Sequence, residues 1–333
     1  MKPSTNLIGP LMQGFFLEFL CTQKRASPQT VSSYRDTFRL LLQHLQLCKR
    51  ISPEALRVED IDVQTILCFL DHLEQKRNNS ICSRNVRLSA IRSFFRYIAL
   101  REPSCLNQCT SVLSIPTKKT DKRLVKSLSR EEIDAIVSAP DRSKWRGRRD
   151  HVILLTLYNS GARASEITAL TQSQVIFGKS NFLLLHGKGR KERTVPLWAH
   201  TAQALRNWFA EAARIETKLA FPNATGECLT RNGLNYILQQ AVRRGSRNCP
   251  SLKGKQVTPH MVRHSTAAHL LQSGVDISVI ALWLGHESIE TTHVYLEADL
   301  ATKERVLQKL APAGNKEARF KADDKVLAFL ATL

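Results

Sequence analysis

The sequence predicts a mainly α-helical protein of two domains, the second of which also contains a small antiparallel β-sheet. Apolar residues recur at helical spacing through most of the 333-residue chain, and this length suits two domains better than one. A short, basic, proline-containing segment interrupts the helical pattern at residues 114–128, which is typical of an interdomain linker. Beyond it, two apolar runs flank the glycine-rich sequence GKGRKE, which predicts a β-hairpin.

The charge of the chain indicates the class of its partner. The formal net charge is +20 and the isoelectric point is about 9.9. Such a surplus of positive charge is typical of proteins that bind a polyanion. No basic amphipathic anchor stands out, and no apolar run approaches the roughly 20 residues of a membrane span. We therefore expect the partner to be nucleic acid and not a membrane.

The first residues and the cysteines favour a cytoplasmic protein. The stretch MKPSTNLIGPLMQGF lacks the apolar core and the cleavage site of a signal peptide. The eight cysteines are scattered, and the nearest pair, Cys105 and Cys109, has no second Cys or His pair at metal-ligand spacing. We therefore expect reduced cysteines, no metal site and no cofactor.

Three helices are predicted in the first domain, residues 1–113. The first begins with Ser27 as its N-cap and Pro28 at its first position, and the third ends before Pro103. Their sequences are SPQTVSSYRDTFRLLLQHLQ, DVQTILCFLDHLEQ and SRNVRLSAIRSFFRYIALREP.

Arginines of the third helix and basic residues of the linker are candidate phosphate contacts. The arginines surround an apolar set, so they belong either to a solvated face or to a surface that grips DNA, and the pattern leaves both interpretations open. A basic linker can likewise be merely solvated or lie along a duplex backbone. The candidates are Arg84, Arg87, Arg92 and Arg96 on the helix and Lys118, Lys119, Lys122 and Arg123 in the linker.

The second domain, residues 129–312, has clear helix boundaries. Ser129 and Glu132 form a capping box, Gly161 ends an apolar helix, and Thr258 and Asp276 cap two later helices. The runs NFLLLH and RTVPL supply the strands of the hairpin, and a final helix is predicted in SIETTHVYLEADL.

The last residues, 313–333, carry an apolar face in the sequence DDKVLAFLATL. This face either folds back onto the core of its own chain or docks into a neighbouring subunit as a helix in a groove. Because termini fray unless something holds them, docking into a neighbour is slightly favoured.

Several residues of the second domain form a constellation suited to an anionic target. His260 and Arg263 are three apart on one helix face, in the first turns, where the helix dipole favours an anion. Arg163 begins another helix just after a helix-ending glycine, and Lys188 lies between two glycines at the hairpin tip. The chain then adds a histidine and, nine residues later, a tyrosine in GHESIETTHVYLEAD.

At these points the sequence resembles the tyrosine recombinase, or phage integrase, superfamily, and in particular its Xer-like and transposon-type integrases. The resemblance covers residues 10–310 and is carried by NSGARASEITAL, HGKGRKERTVPL, HMVRHST and the LGH motif before the tyrosine. Two departures are visible, since Ala162 stands where the family has leucine and ALTQSQV lacks an acidic residue that often follows the first motif. The resemblance implies six catalytic residues and, in Glu166, an acidic helper; the six are Arg163, Lys188, His260, Arg263, His286 and Tyr295.

The resemblance also implies an architecture and a reaction. The first domain would be a SAM-like helical core-binding domain, and the second an α+β catalytic domain. The reaction would be site-specific recombination of double-stranded DNA through a 3′-phosphotyrosyl intermediate and a Holliday junction, without ATP or cofactor. It would be performed by a homotetramer, or by a tetramer with a related recombinase, at a prokaryotic nucleoid. The four helix arginines, as a group, would contact DNA, and the tail would dock into a neighbouring subunit.

Elementary chemistry agrees with these roles. Two arginines can hold a phosphate with permanently charged donors, and their charge favours the phenolate of a tyrosine, whose ordinary pKa is about 10. Attack by Tyr295 would form a covalent phosphotyrosine, and Lys188 would protonate the departing 5′-hydroxyl. The alternatives are a type IB-like topoisomerase, which nicks and reseals without strand exchange, and a DNA-binding protein of the same fold that has lost catalysis.

Overall fold

The computed structural model of the protein describes residues 6–120, 127–187, 192–213 and 217–285. The chain divides into two compact units, Met1–Lys122 and Arg123–Leu333. This division falls inside the segment 114–128 that the sequence marks as a linker, while the limits of the linker and of the tail stay predictions.

The first unit is built from helices, and the three long ones each begin at a side-chain cap. A cap oxygen satisfies a backbone N–H that the first helical turn leaves without a partner. Ser27 accepts from the Thr30 amide in this way, as predicted. The elements are α1 (Ile8–Gly14), a π-helix (Phe15–Gln23), α2 (Pro28–Lys49), α3 (Val63–Gln75), α4 (Ile81–Arg101) and α5 (Leu106–Leu113). The three predicted helices are confirmed as α2, α3 and α4.

Aromatic packing forms the centre of the first unit. Phe15, Phe38 and Phe94 are buried, and their ring centroids lie 5.1 to 6.1 Å apart. They come from the π-helix, α2 and α4, so these rings hold three elements together. The π-helix was not predicted because the apolar run FFLEFL has no clear period, and such a run does not distinguish helix from strand.

The second unit packs helices around a three-stranded antiparallel sheet in the order β1–β2–β3. In the predicted hairpin Leu184 lies opposite Thr194. The elements are α6 (Arg130–Ser138), α7 (Trp145–Ser160), α8 (Ala164–Thr168), β1 (Val175–Ile176), β2 (Phe182–His186), β3 (Glu192–Pro196), α9 (Ala199–Ala212), α10 (Arg231–Gly245), α11 (Pro259–Gln272) and α12 (Ile277–Leu284). The predicted fold class is confirmed, although the short strand β1 was not predicted.

Three predicted helix ends of this unit are confirmed, while the final helix predicted in SIETTHVYLEADL lies outside the described residues. Ser129 and Glu132 form the capping box of α6, and Gly161 ends α7 in the left-handed conformation. Thr258 accepts from the Met261 amide at the start of α11.

The core of the second unit surrounds α7. Ile153, Leu154 and Leu157 of this helix are buried, and α7 packs against α6, α9 and α11. Because α8 follows α7 immediately after Gly161, the packing of α11 on α7 brings the beginnings of α8 and α11 close together. This closeness creates the site described next. Across the described ranges, no helix combines the length and apolar character that a membrane crossing needs.

Candidate active site

A cleft of about 340 Å³ in the second unit contains three of the predicted catalytic residues. Arg163 stands at the beginning of α8, and His260 and Arg263 lie in the first turns of α11. The rest of the lining comes mainly from the start of α10 and from the cap of α11. The fold therefore brings together residues that are a hundred positions apart in the chain.

Arg163 is held by a carboxylate and a backbone carbonyl. Its amide donates to Glu166 Oε2 at 2.7 Å and its Nη1 to Glu166 Oε1 at 2.9 Å. Its Nη2 donates to the carbonyl oxygen of Gly285 at 3.1 Å. The side chain remains 35% exposed, so the guanidinium is fixed and still open to the cleft. Glu166 thus contacts Arg163 as expected of the acidic helper, although ALTQSQV lacks a second acid.

Arg263 links two helix ends beside the cleft. The residue is 3% exposed, and its Nη1 and Nη2 donate to the carbonyls of Gly161 and Leu284, each at 2.7 Å. Gly161 has a φ of +57°, and a Cβ there would lie 2.6 Å from Leu284 Cδ2. Glycine is therefore required where the end of α7 approaches α12.

Glu166 also binds Arg193, which is not among the site residues predicted from the sequence. Arg193 Nη1 donates to Oε1 at 2.9 Å and Nη2 to Oε2 at 2.7 Å, and the two side chains are 9% and 3% exposed. Burial raises the pKa of the Glu166 carboxyl, but Arg193 and then Arg163 outweigh it and hold that pKa below its usual range. Glu166 is therefore an ionised carboxylate at neutral pH.

The alternation of buried and exposed residues along β3 indicated that Arg193 lies on the buried face of the strand. Residues two apart on a strand share a face, and Val195 is fully buried while Glu192 and Thr194 are exposed. Arg193 is on the face of Val195, and an arginine on a buried face needs a partner for its charge. The sequence did not indicate which carboxylate that partner was.

Three arginines meet the C-terminal end of α12. The carbonyls of residues 283, 284 and 285 accept from Arg193 Nε at 2.9 Å, Arg263 Nη2 at 2.7 Å and Arg163 Nη2 at 3.1 Å. The last carbonyls of a helix lack helical partners and carry partial negative charge, so they favour cations. The backbone at the end of α12 is therefore held by the same arginines that form the cleft and its support.

Half of the predicted catalytic set lies outside the described residues, as do parts of the predicted DNA surface. These are Lys188, His286 and Tyr295, the linker residues Lys122 and Arg123, and the tail 313–333. The structure does describe both flanks of the hairpin tip, since β2 ends at His186 and β3 begins at Glu192.

The two histidines in the first half of α11 lie side by side and have lowered pKa values. The rings of His260 and His264 meet edge to face with centroids 4.1 Å apart. Burial of the ring, then Arg263 and Arg163, lower the pKa of His260, although the residue as a whole is exposed at the cleft. Burial, then His260 and Arg263, lower the pKa of His264 to about 4. Both imidazoles are therefore neutral at pH 7 when the cleft is empty, and among the described lining residues arginines supply the positive charge.

The start of α10 adds cleft residues that are not among those predicted from the sequence. Arg231, Asn232 and Asn235 are exposed and line the cleft with Arg163. The cap Thr230, which accepts from the Gly233 amide at 3.0 Å, was visible in the sequence as a helix start. Nothing in the sequence indicated that this helix start lies beside α11.

In the first unit, Arg84 has an internal role. Its side chain is 3% exposed, lies 3.4 Å from Glu74 and donates to the Pro116 carbonyl at 3.3 Å. This buried ion pair gives Arg84 an internal role, and its contact with DNA stays a prediction. Arg84 instead holds the segment after α5 against α4.

The other α4 arginines divide between internal and exposed positions. Arg87 donates to the Ser33 carbonyl at 3.2 Å and to the Thr37 hydroxyl at 3.0 Å. Arg92 donates to the carbonyl of Ile115, and both arginines are half-buried.

Exposed cations remain for a DNA surface in this unit. Arg96 and Lys119 are exposed. Lys118 is exposed as well, but its Nζ lies 2.8 Å from a carboxylate oxygen of Glu74. The four helix arginines thus divide between internal bonds and solvent, and their contact with DNA as a group stays a prediction.

Comparison with known proteins defines the class of both units. Residues 126–301 match the model described as "Phage integrase family", and residues 15–102 match "Phage integrase, N-terminal SAM-like domain". The chain therefore belongs to the phage integrase family, and it is a tyrosine-type site-specific recombinase, an enzyme that cleaves and rejoins DNA strands.

Individual relatives agree over nearly the full length. The chain is 49% identical over 326 residues to a Sinorhizobium fredii protein named as an integrase/recombinase, y4rC, with 98% of each chain covered. It is 30% identical to the tyrosine recombinase XerC of Chlamydia caviae, in an alignment that covers 89% of this chain and 97% of that protein.

Solved structures confirm the fold. The transposon Tn1549 integrase in complex with transposon right end DNA matches with a TM-score of 0.68 at 14% identity, covering 91% of this chain and 99% of that one. The XerH recombinase bound to its difH substrate matches with a TM-score of 0.65 at 22% identity, covering 86% and 81%.

Proposed function

We propose that this recombinase uses Tyr295 as its nucleophile and activates the scissile phosphate with Arg163, His260 and Arg263. The observation that carries the proposal is that these three cleft residues meet, with Arg163 held open to the cleft by the buried carboxylate of Glu166. Fixed guanidinium groups suit a phosphodiester, since they cannot lose their charge and offer several donors in one plane.

Electrostatic stabilisation is the main contribution of this cleft. Negative charge grows on the phosphate oxygens in the transition state, and each donor already in place stabilises that state by about 3 kcal/mol. A bound phosphate also places negative charge beside His260, which reverses the effect of its arginine neighbours and favours protonation. His260, and by family resemblance His286, then donate hydrogen bonds to the phosphate.

Cleavage and rejoining follow as two transfers at phosphorus. The Tyr295 oxygen loses its proton and bonds to phosphorus while the bond from phosphorus to the 5′-oxygen breaks. Lys188 gives a proton to that leaving oxygen, so a free 5′-hydroxyl departs and the 3′ phosphate stays on the enzyme. A 5′-hydroxyl from a second strand reverses the step without ATP and leads to a Holliday junction.

The partner is a double-stranded recombination site bound by both units. Arg231, Asn232 and Asn235 line the cleft with Arg163, which supports a role for them in binding the DNA that flanks the phosphate. Exposed Arg96 and Lys119, together with Lys122 and Arg123, add positive charge for the backbone. The solved XerH and Tn1549 integrase structures contain DNA, which supports this partner. By family resemblance the enzyme acts as a tetramer at the nucleoid.

The nucleophile is tested by covalent trapping. Duplexes covering the DNA on both sides of the coding sequence are screened for binding, and a bound duplex is remade with a nick so that the cleaved strand diffuses away. The wild-type enzyme should form a covalent protein–DNA adduct and Tyr295→Phe should form none. Tyr34→Phe is the matched control, since Tyr34 stacks on Phe15 in the first unit, and it should react like wild type. An adduct with Tyr295→Phe, or none with bound wild type, overturns the proposal.

Strand exchange is separated from type IB-like relaxation by the products. Two duplexes of different length that carry the same site should yield joined strands of mixed length. Relaxation of a supercoiled plasmid without such joining would favour the topoisomerase alternative.

A further inference from the structure

We propose that Arg193 is a positioning residue of this active site, which sets Arg163 through Glu166 and sets the end of α12 directly. No catalytic role follows for Arg193 from the matched motifs, and it does not line the cleft. The inference rests on the proposed function, because its effect is read through formation of the Tyr295 adduct.

All three guanidinium nitrogens of Arg193 have defined acceptors. Nη1 and Nη2 take the two oxygens of Glu166, and Nε takes the Trp283 carbonyl at 2.9 Å. The fork is rigid and planar, so three simultaneous bonds fix the position of Glu166 relative to the last turn of α12. The side chain is 9% exposed, which keeps water from replacing these bonds.

Glu166 transmits this position to Arg163. Each oxygen of the carboxylate accepts one hydrogen bond from Arg163 and one from Arg193. The orientation of the carboxylate therefore depends on both arginines. Without Arg193, the buried carboxylate would have Arg163 as its remaining arginine and would pull that guanidinium away from the cleft. The Trp283 carbonyl would lose its donor at the same time, next to the Gly285 carbonyl that Arg163 holds.

Arg193 also belongs to β3, the strand that follows Lys188. Its loss therefore has two routes by which to slow the reaction. One passes through the hairpin to the general acid. The other passes through Glu166 and α12 to the grip on the phosphate. Within the described part of the chain, the hydrogen bonds of the Arg193 guanidinium go to Glu166 and to α12, which favours the second route.

The leaving group separates the two routes. A substrate with sulfur in place of the bridging 5′-oxygen releases a thiolate, which needs no proton from an acid. Lys188→Ala should therefore regain adduct formation on the sulfur substrate. Arg193→Met should be slowed about 100-fold on both substrates, since a misplacement of about 1 Å costs that much. Its DNA affinity should match wild type, because Arg193 does not line the cleft.

Arg149→Met is the matched control for loss of a buried arginine. Arg149 is 8% exposed, donates to the Asp150 carboxylate from Nε and Nη2, and donates to the Pro222 carbonyl from Nη1. It does not line the cleft. Its loss should lower thermal stability much as Arg193→Met does, but should leave the adduct rate of the folded enzyme unchanged. Arg193→Lys keeps the charge without the fork and should fall between wild type and Arg193→Met.

The outcomes are distinct. A wild-type enzyme that binds DNA but forms no adduct overturns the proposed function and this inference with it. Normal wild-type reaction with equal rates for Arg193→Met and Arg149→Met overturns the inference alone and leaves Arg193 a stabilising residue. Rescue of Arg193→Met by the sulfur substrate would place its action on Lys188 and would also overturn it.

Discussion

Glu166 shows how much of this site depends on a single buried group. An isolated carboxylate that is 3% exposed would be protonated, because burial disfavours its charge. Two arginines reverse this outcome and lower its pKa. The Arg193 side chain is buried in this ion pair, whereas a third of the Arg163 side chain stays exposed at the cleft. The burial of one arginine thus leaves the other available to a phosphate.

The histidines predict how stability depends on pH. Five of them have pKa values lowered from 6.5, with burial as the largest cause in each; they are His44, His151, His260, His264 and His269. The unfolded chain therefore binds more protons than the folded protein between pH 6.5 and the lowered values, which reach about 4 for His264.

Stability should accordingly be complete above pH 6.5 and fall as the pH falls through that window. Urea unfolding should show a lower midpoint at about pH 5 than at about pH 7. Half-buried Asp150, whose pKa is raised by burial, acts in the opposite direction. His264→Gln, which takes up no proton, should flatten the dependence. A midpoint that stays constant or rises on acidification would contradict the expectation.

At the scale of elements, the C-terminal end of α12 is the last segment that the structure describes before His286. Its carbonyls are held by arginines from β3, α8 and α11. A helix C-terminus normally finds such partners in water or in lysine and arginine side chains nearby in sequence. Here the partners come from distant segments, so the position of this helix end depends on the whole second unit.

Two glycines test this arrangement. Gly285 and Gly274 both have positive φ, +66° and +85°, so alanine should cost each about 1 kcal/mol in backbone strain. A Cβ at Gly285 would lie 3.0 Å from Arg193 Cδ, whereas a Cβ at Gly274 would have nothing within 4 Å.

Both alanine variants should therefore lose similar stability in thermal unfolding, but only Gly285→Ala should slow adduct formation. Equal adduct rates for the two variants would show that Arg193 and the end of α12 tolerate displacement. A slow Gly274→Ala would show that strain alone accounts for the effect.

At the scale of the whole molecule, the net charge of +20 governs association with DNA. Each phosphate contact releases counterions, so affinity should fall steeply and linearly on a log–log plot against salt. The basic residues are not equally accessible to DNA. Arg84 is buried in an ion pair inside the first unit, whereas Arg231 is exposed at the cleft.

Arg231→Ala should weaken DNA binding and reduce the slope of that plot by about 1. The control is Arg243→Ala, an exposed arginine of the same helix about 18 Å further along it, which should leave the slope unchanged. Binding is measured by fluorescence anisotropy across a salt series. Equal slopes for Arg231→Ala and wild type would place the DNA away from the start of α10.

The sequence by itself determined many helix ends, the β2–β3 hairpin and the class of reaction, but not the π-helix or β1. Ser27, Ser129, Thr258 and Gly161 marked helix ends because capping depends on neighbouring residues, which a sequence displays directly. Arg163, His260 and Arg263 were recognisable because their motifs are local and ordered along the chain.

Only the tertiary structure decided which charged side chains pair with one another and which are buried. Arg84 and Arg96 read alike on one helix, yet one is buried against Glu74 and the other is exposed. Arg193 reaches Glu166 across 27 residues, and Arg163 reaches Gly285 across 122. Such pairs depend on the packing of distant segments, and the strength of an ion pair depends on burial, which no local pattern displays.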